Sequence, residues 1–248
     1  MSNSSLIFRF RVFTYHLGIS IFIALVSLYI VFIVWHPAPL AKAVGVTYIF
    51  VMMLGIDVIL GPLLTLMIAR KGKKSLKFDL AVIVILQVSA FIYGIYNIAI
   101  SRPVYIAFDT LRFEVVQANE IPKSSLEQAP IPYKTLSLGS PKYVAIRAVQ
   151  NDEEKSERLF LELETGVAPS KQPNLYENLD NQWHIINSKA NNLKELYNNN
   201  SKISVDDLIK KHPSANGWLP LLAYNQDMVV LIDSKNNKIV DIVDLRPY

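Results

Sequence analysis

The chain has 248 residues, 51% of them hydrophobic, with 25 Lys+Arg against 21 Asp+Glu for a net charge of +4, and no cysteine. The missing cysteines exclude disulfide scaffolds, thiol catalysis and cysteine metal sites. The charge is split along the chain: residues 1–100 hold 8 basic and 2 acidic residues, residues 101–248 hold 17 and 19, so the basic excess reports topology rather than nucleic-acid binding.

Three stretches, about 15–35, 44–69 and 78–100, are apolar enough to cross a bilayer. A helix rises ~1.5 Å per residue, so ~20 residues match a hydrocarbon core of ~30 Å. Read as a signal peptide, the first stretch would use Arg9 and Arg11 as its basic flank and Ala41-Lys42-Ala43 as its cleavage site. Its apolar core is longer than signal sequences carry, Pro37 and Pro39 intervene, and two more spans follow, which favours a retained helix. Basic residues lie before the first span and, five of them, between the second and third, with only Lys42 between the first and second. The positive-inside rule therefore places the N-terminus and loop 70–77 in the cytoplasm and residues 101–248 in the periplasm of a Gram-negative cell.

Asp57 lies in the middle of the second span, where a charge costs roughly 2.5–3.5 kcal/mol on insertion scales. Two readings of it stand: a functional carboxylate, or one held inside the bundle by a hydrogen bond, with Gln87 or Asn97 as candidate partners. Pro62 lacks an N–H and predicts a kink near Val58. Small and polar residues recur at helical spacing as His16, Ser20, Ala24 and Ser27; as Asp57, Gly61 and Thr65; and as Gln87, Ala90, Gly94 and Asn97. Such faces either close a self-contained three-helix bundle or leave a seam for a helix from another protein. Asp79, at the start of the third span, suits a capping or loop-fixing role.

Beyond Arg102-Pro103 the pattern becomes that of a water-soluble domain. Residues 104–108 and 112–116 predict a hairpin turning at Asp109-Thr110, and residues 143–149 another strand. Residues 152–164 predict a helix stopped by Gly166, and residues 184–197 and 205–211 two more, the last capped by Ser204. A hairpin over residues 228–233 and 239–245 closes the chain. Strands at both ends with helices between predict an α+β domain whose sheet joins the two ends. His184 and His212 stand alone, and no HExxH, GxSxG, Walker A or GxGxxG string is present, so no catalytic set, metal site or cofactor is expected.

The strings Asp57-Val58-Ile59-Leu60-Gly61-Pro62, Lys74-Ser75-Leu76-Lys77-Phe78-Asp79 and Arg102-Pro103-Val104-Tyr105 followed by Arg112-Phe113-Glu114 resemble the TfpX/TfpZ type IV pilin accessory proteins. The resemblance is dense over residues 15–120 and thinner beyond, where Trp218-Leu219-Pro220-Leu221 still fits. It implies an inner-membrane protein without catalytic activity that acts on the major type IV pilin subunit. The expected architecture is a membrane protein: a three-helix transmembrane bundle over residues 1–100, followed by a soluble α+β domain over residues 101–248. The expected partners are the major pilin and membrane lipid, with no nucleic acid and no small-molecule substrate. Asp57, Gly61, Thr65 and Gln87 are the expected transmembrane contacts, and Asp79, Arg102 and Arg112 are juxtamembrane or soluble-domain residues with a binding or structural role. The competing expectation is a periplasmic sensor or binding module that uses the helices only as an anchor.

Overall fold

The computed structural model describes residues 3–248, which divide into two compact units. One takes the chain up to Val34 together with Val46–Ile100; the other takes Trp35–Gly45 together with Ser101–Tyr248.

The first unit holds three helices long and apolar enough to cross a membrane, Ser5–Trp35, Val46–Ile68 and Leu76–Ile100. Helix α1 (Asn3–Tyr29) starts well before the expected residue 15 and takes in Arg9 and Arg11, then runs on as a wide π turn over Ile30–Trp35. The second span is built from α3 (Val46–Gly55), a π turn over Ile56–Leu60, and α4 (Gly61–Ile68). The anomaly expected at Val58 is thus a widened turn, the usual way a helix absorbs a disrupted hydrogen-bond ladder. Helix α5 (Leu76–Ile100) buries only Ile83 and Ile98 and turns most of its apolar side chains outward, as a helix facing lipid does.

The second unit is organised on a seven-stranded mixed sheet in the order β4-β3-β1-β2-β5-β6-β7. Strands β1 (Pro103–Asp109) and β2 (Arg112–Gln117) form the expected hairpin, with Asp109 opposite Arg112 and Thr110 at φ 51 in the turn. Strand β3 (Lys142–Ile146) runs parallel to β1 and is itself flanked by the two-residue β4 (Tyr176–Glu177). Strands β5 (Gly217–Leu222), β6 (Met228–Asp233) and β7 (Lys238–Val243) form an antiparallel meander, joined to β2 through a short parallel ladder. The continuous apolar runs of β1 and β6 follow from burial on both faces, against alternation in half-buried strands. One core gathers Val104, Tyr105, Val116, Val144 and Tyr176; a second gathers Leu196, Val205, Trp218, Val229 and Leu231.

Short helices fill the connections: α2 (Leu40–Ala43), α6 (Lys123–Glu127), α7 (Asp152–Thr165), α8 (Trp183–Lys189) and α9 (Lys202–Lys211). The single helix expected over 184–197 is broken, because Asn191 leaves it to bridge to Trp218 and a 3-10 turn, Leu193–Asn198, follows. Helix α9 begins earlier than expected: its cap is Ser201, whose hydroxyl accepts from the Ser204 N–H at 3.1 Å. Strand β5 was not among the expected strands, and it holds Pro220 opposite Val229 of β6. On its β2 side the ladder involves only Leu221 and Leu222, so no β2 partner stands opposite Pro220.

The segment Trp35–Gly45 belongs to this second unit although the sequence presents it as a bare connection between spans. The Ala43 carbonyl accepts from the N–H groups of Asn225 and Gln226 at 2.9 and 3.1 Å, and Asn225 Nδ2 donates to the Lys42 carbonyl at 3.1 Å. Lys42 Nζ pairs with Asp244 at 2.5 Å.

Candidate functional site

Pro62 sets the local geometry of the site. In the π turn the Gly61 N–H reaches back five residues to the Ile56 carbonyl. Continuing that register, the Asp57 carbonyl would take its bond from the N–H of residue 62, which proline does not have. A buried carbonyl without a donor is costly, so another group must supply one. Gln87 on α5 does so: its Nε2 donates to the Asp57 carbonyl at 3.1 Å. Gly61 permits that approach, since a Cβ there would lie 1.8 Å from the same Nε2. Further along, Gly94 lets α5 close on the sulfur of Met53 in the same way.

The bond to Gln87 is therefore made by the backbone of Asp57, and the side chain is left over. Both carboxylate oxygens of Asp57, and Oε1 of Gln87, are buried and have no hydrogen-bond partner among the described residues. Asp57 and Gln87 line a cavity of about 330 Å³ with His16, Ser20, Ala24 and Thr65, amid aliphatic and aromatic side chains from all three helices. His16 Nδ1 lies 2.7 Å from Thr65 Oγ1, so the helix carrying the basic N-terminal residues is pinned to α4 at one end of the cavity. Of the two candidate partners, Asn97 does not reach the Asp57 carboxylate; its Nδ2 donates to the Tyr93 carbonyl one turn back at 2.7 Å.

Chemically the site is rich in acceptors and poor in donors. Three unpartnered oxygens beside an apolar cavity complement a group that brings N–H or O–H donors, or a positive charge, on an apolar carrier. The His16–Thr65 pair lacks a carboxylate to orient the imidazole, since neither Asp57 oxygen reaches it, so the trio has no nucleophile–base–orienter chain. Among the described residues no three His, Asp or Glu side chains gather as a metal centre needs.

Of the residues singled out from sequence, Asp57, Gly61, Thr65 and Gln87 come together here, and Asp79, Arg102 and Arg112 lie elsewhere. Asp79 pairs with Lys73 at 2.6 Å and accepts from the Ser75 hydroxyl at 3.1 Å, fixing the entry to α5. Arg102 is buried and donates through Nε and Nη2 to the Ser137 carbonyl at 3.1 and 3.0 Å, tying the segment before β3 to the start of β1. Arg112 is exposed at the hairpin end; burial raises the pKa of Asp109 opposite it, and the Arg112 charge works against that rise. Helical spacing put His16 on the small and polar face of the first span but did not announce its bond to Thr65. The signal for Gln87 was available in Pro62, which announces an unserved carbonyl without saying which side chain will serve it.

The family model for the fimbrial assembly protein FimB matches residues 4–45. A fimbrial assembly protein of serogroup I from Dichelobacter nodosus is 29% identical over 256 residues, spanning 100% of this chain and 99% of the relative. The serogroup E1 protein of the same organism is 27% identical over the same shares of both chains. The protein of serogroups C1 and C2 is 34% identical over 131 residues, 52% of this chain and 100% of the relative. No solved structure matches the chain. With one relative matched along its whole length and two more aligned from end to end, the chain belongs to the fimbrial assembly protein family.

Proposed function

We propose that the protein is a non-catalytic accessory factor of type IV pilus assembly that binds the major pilin subunit in the bacterial inner membrane. Membership of the fimbrial assembly family supports a role in building the pilus. The observation that carries a direct contact is the set of three unpartnered oxygens, two on Asp57 and one on Gln87, beside the cavity between the helices. A pilin awaiting assembly is a membrane helix with a periplasmic head. Its helix would bring the donors that Asp57 lacks, while Gly61 and Thr65 serve the contact indirectly, by admitting Gln87 and by holding His16. Gln87 acts mainly as the residue that holds the Asp57 turn open. The basic loop 70–77 and the basic N-terminus support a cytoplasmic position for both, and after three crossings the C-terminal unit would then lie in the periplasm, on the side of the pilin head. No cofactor and no small-molecule substrate enters this role.

The test is the level of major pilin and the number of surface pili in cells carrying the wild-type chain, no chain, Asp57→Asn or Asp57→Leu. Pilin that is made but lost or left unassembled without the chain is the expected result, with Asp57→Leu close to the deletion. An Asp57→Asn and an Asp57→Leu variant that both insert normally and support full piliation would remove the membrane contact. Unchanged pili in the deletion would remove the whole reading.

A further inference from the structure

Helix α7 is built inside out. A helix on the surface of a domain normally buries an apolar stripe and shows its charges to water. Along α7 the less exposed residues are Glu154, Arg158 and Glu162, spaced by four, and the helix buries no residue. Leu159, Phe160 and Leu163 form an apolar face and are 55%, 68% and 72% exposed. The polar side is anchored: Glu154 pairs with Arg147 at 2.6 Å and with Arg158 at 2.7 Å, and Arg158 Nη1 donates to the Arg147 carbonyl at 3.1 Å. Both ends are capped, by Asn151 Oδ1 accepting from the Glu154 N–H at 2.8 Å and by Gly166 at φ 69. Local capping and ion pairs thus hold the helix in place with its apolar face turned away from the domain.

We propose that α7 is a docking helix, and that its occupant is an apolar protein surface rimmed by Lys or Arg. Charge selects that occupant. The helix carries six acidic and two basic residues, and helical periodicity puts Glu153, Glu157 and Glu164 along one flank of the Leu159–Phe160–Leu163 face. A second copy of this chain would set acid against acid. Interfacial helices that lie on anionic bilayers carry Lys and Arg beside their apolar face, the opposite arrangement. A groove receiving Phe160 and Leu163, with basic residues along the Glu157 side, matches both features. Taking the major pilin as the owner of that groove rests on the function proposed above.

The experiment measures binding of purified major pilin to the full-length chain in detergent, for the wild type, for Phe160→Glu with Leu163→Glu, and for Glu157→Lys with Glu164→Lys. All four positions are exposed, so the variants keep the fold, which circular dichroism checks. The expected result is about tenfold or greater weakening for the apolar pair, and a weaker, less salt-dependent interaction for the charge pair. Wild type and apolar variant binding pilin equally would overturn the docking role of α7 and leave the proposed function standing. Failure of the wild type to bind pilin would overturn both. Because the chain has no cysteine, Ser156→Cys, an exposed position on the same helix face that leaves Phe160 and Leu163 in place, carries a single environment-sensitive dye. A blue shift on adding pilin supports the proposal; the same shift in lipid nanodiscs without pilin, or on self-association seen by sedimentation, overturns it in favour of lipid or of a second copy.

Discussion

The Gln87 side chain gives the Asp57 carbonyl the hydrogen bond that Pro62 cannot, at 3.1 Å, so a defect in one helix is repaired from the helix facing it. The repair has a consequence for function. It occupies the amide N–H of Gln87 and leaves the Asp57 carboxylate with no donor among the described residues. The proline, the glycine that follows the widened turn, the glutamine and the aspartate therefore act as a single unit.

The repair predicts a strong dependence between Gln87 and Pro62. Replacing Gln87 by Leu orphans a buried carbonyl and should cost about 1–3 kcal/mol. In a Pro62→Ala background the restored N–H offers a substitute donor, and the same replacement should cost clearly less. Thermal unfolding of the four purified proteins in detergent closes the cycle, and strictly additive shifts would refute the dependence.

Gly61 should behave as a spacing residue. An added methyl group meets Gln87 Nε2 at 1.8 Å and must push the amide off its carbonyl. Gly61→Ala is expected to destabilise the helical unit by about 1–3 kcal/mol. Most of that loss should vanish when Gln87 is already Ala, because nothing is left to displace. A loss of equal size in both backgrounds points to helix packing elsewhere.

Asp57 should trade stability for function. Replacing an unpartnered buried carboxylate by Leu removes two unsatisfied acceptors, so the melting temperature of the purified chain should rise. Piliation should fall in the same variant. A variant that melts lower than the wild type would show that the carboxylate is used within the protein itself.

The strap between the first two spans should depend on Gly45 more than on Lys42. Gly45 sits at φ 77 with the Asn225 Cβ 3.2 Å from where its own would be, so Gly45→Ala should cost about 1–2 kcal/mol. The Lys42–Asp244 pair has side chains 56% and 34% exposed, and Lys42→Ala should cost about 1 kcal/mol or less. Hydrogen exchange at the Asn225 and Gln226 amides reads both effects; greater exposure in Lys42→Ala than in Gly45→Ala would reverse the order.

Acid should loosen α7 through Glu154. Arg147, the Gln150 N–H and Arg158 together hold its carboxyl down at about 2, against 4.5 for an unperturbed glutamate. A carboxyl with a depressed folded pKa contributes stability in full above its unfolded pKa and loses it as pH falls toward the folded one. The helix signal of α7 should therefore decline between about 4.5 and 2. Glu154→Gln should weaken protection of α7 amides at neutral pH and flatten that decline. An unchanged acid profile in the variant would assign the transition to other carboxylates.

Much of the architecture could be read from the chain because it is encoded locally. The three apolar runs follow from length and hydropathy, the β1–β2 and β6–β7 hairpins from alternation around turn residues, and the end of α7 from Gly166. Asp57, Gly61 and Thr65 were visible as one face because helical spacing alone aligns them. Other features depend on residues far apart in sequence, and no local period announces them. Ala43 and Lys42 meet Asn225, Gln226 and Asp244 only after the sheet is assembled, which is why Trp35–Gly45 looked like a linker. No strand was expected over Gly217–Leu222, which takes its place in the sheet by pairing with β6, Pro220 opposite Val229. The sequence marked a helix over 152–164 with Glu153, Glu154 and Glu157 as a solvated cluster, but only the Arg147–Glu154–Arg158 anchor decides that Glu154 turns toward the domain and the leucines away from it. Pro62 marked a missing donor, and tertiary packing chose Gln87 to replace it. Local backbone preference and hydrophobic length determine which elements form; contacts that close over long sequence separations determine which polar groups are satisfied and which are left for a partner.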